Sequence, residues 1–176
     1  MSGSRFTPLQ RVLHWTMAVM VIAMLFIGVG MVATLRPRFL LLIAIHRPLG
    51  ILILVFALVR LGVRLRRGAP PLPADLPWPQ VAAARGSHVL LYVLLILMPL
   101  IGWSMLSAGG YPIVFYGPIH LPPVMPHNDA LYAVLRSTHT ALAYLLFTVI
   151  LAHIAAALFH AWVRRDSVFP SMAPWR

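Results

Sequence analysis

Long apolar runs separated by short polar punctuation dominate the chain. Four stretches carry the roughly 20 mostly apolar residues that a bilayer-crossing helix needs, from about Trp15 to Leu35, Phe39 to Leu65, His88 to Leu106 and Asp129 to Val163. They predict an all-α membrane protein, a four-transmembrane-helix bundle forming one domain over residues 1–176. The first run is too long for a cleavable signal and has no small-residue cleavage site after it, so it is read as a retained helix. Between the second and third runs, Gly68 to Gln80 is rich in Pro and predicts a stiff link. The longer segment from Ala108 to His127 mixes Gly and Pro with Tyr111, Phe115 and Tyr116, and predicts a cap folded back over one end of the bundle, with Asn128 or Asp129 starting the fourth helix. Trp15, Trp103 and Trp162 fall near span ends, where indoles favour the membrane interface.

Composition sharpens this picture. The sequence is 61% hydrophobic and only 10% charged, far below the usual quarter for a soluble domain. Its net charge of +11 comes from Arg alone, set against three Asp, with no Lys and no Glu. In a soluble chain that balance would suggest nucleic acid, but in a polytopic one it sets topology. Arg5, Arg11, Arg64, Arg66, Arg67, Arg85, Arg164, Arg165 and Arg176 gather at one end of the bundle, whereas Arg36, Arg38, Arg47 and Arg136 lie at the other and Arg60 sits inside the second helix. By the positive-inside rule both termini are cytoplasmic, and nucleic acid is no partner. Without Cys there is no thiolate metal site, iron–sulfur cluster or covalently attached haem, and without Lys there is no Schiff base. Asp75, Asp129 and Asp166 are far apart in sequence and outside the apolar runs, which argues against a paired-carboxylate or Ser-His-Asp site. No catalytic side chain is expected; a bound cofactor would carry any chemistry.

The histidines suggest which cofactor. Six of eight, namely His14, His46, His88, His139, His153 and His160, lie on or at the ends of the helices, where an ionisable group is costly and faces the bundle interior. A single one would be read as a packed, hydrogen-bonded residue; the set suggests ligation. His139 and His153, fourteen residues apart, are separated by about 21 Å along one helix and return to within about 40° of one face. One helix can thus serve two cofactors at different depths. Topology matches His14 with His153 and His46 with His139, and two imidazoles on opposite sides of one iron is haem b ligation, here of two haems. His88 and His160 also stand near the cytoplasmic ends and remain open as inner ligands. Zinc would require a compact cluster, and a proton relay would expect intramembrane carboxylates. His120 and His127 read as loop residues. Met17, Met24, Gly28 and Met31 on the His14 face, and Gly50 one turn beyond His46, suit either a flat macrocycle or ordinary helix packing.

With these residues in place the sequence resembles the bacterial cytochrome b-561 family of four-helix, two-haem membrane proteins. The resemblance covers nearly the whole chain. It rests on Leu9-Gln10 with His14-Trp15, His46 with Gly50, Arg60 and Arg64 in Val-Arg-Leu-Gly-Val-Arg-Leu, His88 with Tyr92, Pro99 with Gly102, and His139, His153 and His160 leading to Arg164-Arg165-Asp166. It implies one haem on His14 and His153 and another on His46 and His139, favouring His153 over His160. The sequence departs from the family at Arg47-Pro48 and at Pro170. Pro48 predicts a kink or a new helix start.

The function expected from the two stacked haems is electron transfer. An outer donor reduces the His46/His139 haem, the electron crosses to the His14/His153 haem, and quinone, which the resemblance implies is ubiquinone, is reduced near the cytoplasmic face. The resemblance implies superoxide as the donor, and Arg36, Arg38, Arg47 and Arg136 would steer that small anion. Gln10, Arg11, His88 and His160 are the quinone candidates. Two other readings stand beside this one. The first is a cytochrome b anchor that relays electrons from a hydrogenase or dehydrogenase, with a redox protein as partner. The second is a cofactor-free transporter or scaffold.

Overall fold

The computed structural model describes residues 5–35 and 37–173, the side chain of Tyr116 excepted, so Arg36 and Arg176 lie outside the described residues. Four helices long and apolar enough to cross a membrane make up the fold: α1 (Pro8–Ala33), α2 (Arg38–Arg67), α3 (Trp78–Ala108) and α4 (Asp129–Leu158). A π-helical turn, Phe159–Arg164, extends α4 directly, and a short α5 (Val168–Met172) follows. The expected four-helix membrane bundle is therefore the fold.

Local chemistry explains where each helix starts. Thr7 and Gln10 form a capping box, with Pro8 in the first turn, so α1 begins well before the apolar run does. α3 likewise begins ten residues before His88, at Trp78, with Pro77 just before it and Pro79 in its first turn. The Pro-rich link is correspondingly shorter than expected. Asn128 caps α4 by accepting from the Leu131 N–H at 2.9 Å.

Pro48 starts no new helix. α2 runs unbroken through it from Arg38 to Arg67, so the missing Pro48 N–H costs one rung of the ladder at the Ala44 carbonyl rather than the helix.

α1 packs along α2, α2 along α3 and α3 along α4, whereas α1 and α4 share no comparable backbone contact. The core occupies the middle of the bundle, where Met17 and Val21 meet Ile53, Ala57, Leu94, Leu95 and Leu146. Both described ends of the chain lie together at one end of the bundle, the terminal end. There the Phe6 N–H donates to the Ser171 carbonyl at 3.1 Å. Trp15 Nε1 donates to the Met172 carbonyl at 2.9 Å, and Arg5 and Arg11 donate to the Ala173 carbonyl. These bonds satisfy carbonyls that the end of α5 would otherwise leave open.

At the opposite end, residues 109–127 fold back as a cap built on a two-stranded hairpin, β1 (Ile113–Tyr116) and β2 (Ile119–Leu121), with Gly117 turning at φ +52°. β1 packs on α2 and α3. Trp103 Nε1 donates to the Pro122 carbonyl, the Val124 N–H donates to Ser107 Oγ, and Arg47 donates to the Pro112 carbonyl. His120 and His127 pair through Nδ1 with the Pro118 and Ala108 carbonyls, each at 2.9 Å, the structural roles expected of loop histidines.

Candidate haem sites and the inner cavity

Two pairs of imidazoles face each other across the bundle. His14 on α1 meets His153 on α4 with ring centroids 6.2 Å apart and ring planes 66° to one another. His46 on α2 meets His139 on α4 with the same 6.2 Å separation and an angle of 64°. Leu146 lies midway along α4 between His139 and His153, so the apolar core stands between the two pairs.

The donor set fits an iron held between imidazoles. Two metal–nitrogen bonds of about 2 Å, with half an imidazole ring on each side, give a centroid spacing of about 6 Å. No hydrogen bond joins the rings within either pair. Nδ1 of His14, of His46 and of His139 is buried without a hydrogen-bond partner among the described residues, although His139 has a weak backbone contact at Met98. A buried ring nitrogen in that state is costly unless another group engages the imidazole. The residues present thus suit haem at both levels. Gly102 brings α3 close to the His46/His139 pair, since a Cβ there would sit 3.4 Å from His139 Cε1. Gly50 is in ordinary packing contact with Met24.

The terminal-end pair opens into a cavity of about 690 Å³. His14, His88 and His153 line it together, with the His88 ring 5.7 Å from that of His153, so this level holds three imidazoles. Arg60, Arg64 and Arg85 also line the cavity, and Phe169 and Met172 of α5 contribute to its wall.

Of the quinone candidates, Gln10 and His88 line this cavity, whereas Arg11 and His160 do not. Gln10 is 7% exposed, and both ends of its amide are engaged: Nε2 donates to the Gly68 carbonyl and Oε1 accepts from Thr7. Arg11 is turned to the Ala173 carbonyl. His160 Nδ1 lies 2.6 Å from Asp166 Oδ2, which also accepts from Arg164 Nε at 2.9 Å, while Arg164 Nη2 reaches Asp75 at 2.7 Å. The structure therefore separates this foursome, because helix capping, the C-terminal segment and an ion-pair cluster each claim one member.

That cluster went unread in the sequence, where Asp75 and Asp166 stood as isolated acids. Six residues separate His160 from Asp166, a spacing no regular α-helix places face to face; the π-helical turn and Arg165 at φ 54° bring them together. Burial alone would raise the Asp166 carboxyl, but hydrogen bonds from the Val168 N–H, His160 and Arg164 outweigh it and hold the group below the usual carboxylate range.

At the hairpin end, Arg38 and Arg136 are exposed and Arg47 is half-buried under the cap. Arg136 borders a shallow groove on α4 with Ser137, Thr140 and Tyr144. Among the described residues no group of three or more His or Asp side chains forms a compact metal site.

Sequence comparison matches the chain to relatives over 73% to 98% of its length. Cytochrome b561 homolog 1 of Escherichia coli K12 is 29% identical over 98% of this chain and 99% of its own. The probable superoxide oxidase CybB of Yersinia pestis is 34% identical over 74% of this chain and 73% of its own. Cytochrome b562 of Cereibacter sphaeroides is 30% identical over 73% of this chain and 65% of its own. The family described as prokaryotic cytochrome b561 matches residues 5–175, and the chain belongs to it: a multi-pass membrane cytochrome whose family implies haem b and electron transport.

Proposed function

We propose that this chain carries electrons across the bacterial inner membrane between superoxide on the outer side and ubiquinone near the cytoplasmic face, using two haems b. The observation that carries this reading is the pair of matched imidazole stations, each with rings 6.2 Å apart, on opposite sides of one apolar core. The excess of Arg at the terminal end orients that end to the cytoplasm. When bound between such imidazoles, haem iron supplies reversible one-electron chemistry.

The protein's own groups account for the remainder. His46 and His139 hold the outer station beneath the hairpin cap, and His14 and His153 hold the inner one beside the large cavity. Leu146 and its neighbours fill the space between them with apolar side chains. Two superoxide ions give up one electron each and leave as dioxygen; one ubiquinone takes both electrons and two protons from the cytoplasmic side. The name of the Yersinia pestis relative supports superoxide as the donor. Exposed Arg38 and Arg136 give the outer end a positive field suited to a small anion. For the quinone, His88 is the candidate that lines the cavity and has no hydrogen bond to a described residue, so its imidazole is available to a carbonyl oxygen.

Rapid mixing of the oxidised, purified protein with superoxide tests the reading. Haem absorbance should change to the reduced form at a rate that falls as salt rises. Absence of reduction at every salt concentration would contradict superoxide as donor.

A further inference from the structure

Arg60 is a half-buried cation inside a membrane-spanning helix, and it has no counter-ion among the described residues. It stands seven residues, about 10 Å, inside the Arg67 end of α2. Its guanidinium lies over the Tyr92 ring at 5.5 Å from the centroid and has no hydrogen bond or ion pair to a described residue. Each of the three aspartates is engaged elsewhere, Asp75 and Asp166 with Arg164 and Asp129 with His127, and none lines the cavity. Arg64, one turn away, also lines it and rests against the Phe6 ring without a carboxylate. A cation–π contact of this kind does not by itself offset the cost of taking a lone charge out of water. The cavity is thus built for an anion, and Arg60 is within electrostatic reach of both His14 and His153.

We propose that Arg60, propped by Tyr92 and seconded by Arg64, is the receptor for a carboxylate at the edge of the His14/His153 station, and that this carboxylate is a propionate of the haem held there. The assignment rests on the two-haem reading above. Arg60 is a positioning residue in this account. It fixes the rotation of the macrocycle about the His14–His153 axis, and its charge stabilises the reduced iron, which carries one more electron than the oxidised form. Lys at this position keeps the charge, though not the forked geometry, so it retains most of the electrostatic effect.

The test is a redox titration of the purified holoprotein beside Arg60→Gln and Arg60→Lys, with haem counted in each. Arg60→Gln should lower the midpoint of one haem and leave the other unchanged, or lose that one haem alone, while Arg60→Lys stays close to the parent. A midpoint and haem content unchanged in Arg60→Gln would overturn the proposal. So would equal behaviour of the Gln and Lys variants, which would reduce the effect to packing. An unchanged midpoint accompanied by loss of co-purifying anionic phospholipid would reassign the site to a phosphate headgroup. The haem count of the parent is read first: an unaltered chain with no haem refutes the two-haem reading itself and is thereby distinguished from a failure at Arg60.

Discussion

Replacing Trp15 with Phe isolates one bond that holds the C-terminal segment against α1. The indole Nε1 donates to the Met172 carbonyl at 2.9 Å, and Phe keeps an aromatic ring beside His14 while removing only that donor. Three other bonds remain: the Phe6 N–H to Ser171, and Arg5 and Arg11 to Ala173. A neutral hydrogen bond of this kind contributes about 0.5–1.5 kcal/mol net, so the local opening equilibrium should rise roughly 2- to 12-fold. Amide hydrogen exchange in detergent reads this directly. The Ser171 and Ala173 N–H groups bond to Ser167 and Phe169 within the segment, and their exchange should quicken by that factor, while amides around Leu146 keep their rates. Since Phe169 and Met172 form part of the cavity wall, the same variant should admit a small polar quencher to the cavity more readily. Unchanged exchange at Ser171 and Ala173 would refute the claim that the Trp15 bond holds this segment closed.

Four further outcomes follow from the geometry. Gly102→Val places branched carbon against His139 and should deplete the outer haem alone, measured as a fall from two haems per chain towards one. His88→Ala should slow quinone reduction in a stopped-flow assay with both haems retained; an unchanged rate would remove His88 from the quinone site. Arg38→Gln combined with Arg136→Gln should slow reduction by superoxide roughly tenfold at low ionic strength and little at high. The depressed Asp166 carboxyl stabilises the folded state above its unfolded pKa of about 4, and that contribution is lost as pH falls through the lower folded value. Asp166→Asn should therefore reduce thermal stability at neutral pH and converge with the parent under strong acid; a constant difference down to pH 2 would contradict this.

How much of this was legible in the sequence depended on whether the signal was periodic or local. The four spans stood out because hydrocarbon demands apolar length. The pairing of His14 with His153 and His46 with His139 could be reached from helix rise and topology, and the structure brings the rings of each pair to 6.2 Å between centroids. The starts of α1 and α3 were placed too late because hydropathy marks where the bilayer begins, not where the helix does. Thr7-Pro8-Leu9-Gln10 already held the capping box that would have corrected the first. The His160–Asp166–Arg164–Asp75 cluster lay beyond reach, since it depends on a π-helical turn and a left-handed Arg165 that no residue pattern announced. Arg60 was visible as an intramembrane cation, itself a signal of function, but only the three-dimensional placement of the aspartates reveals that it has no counter-ion among the described residues.

The central claim is that each imidazole pair holds one haem. A reduced-minus-oxidised absorption spectrum with haem quantitation, made on the purified protein and on His139→Ala and His153→Ala singly, tests it most directly. The account predicts about two low-spin b haems per chain and the loss of a different one in each variant; a colourless protein, or variants that both retain two haems, would contradict it.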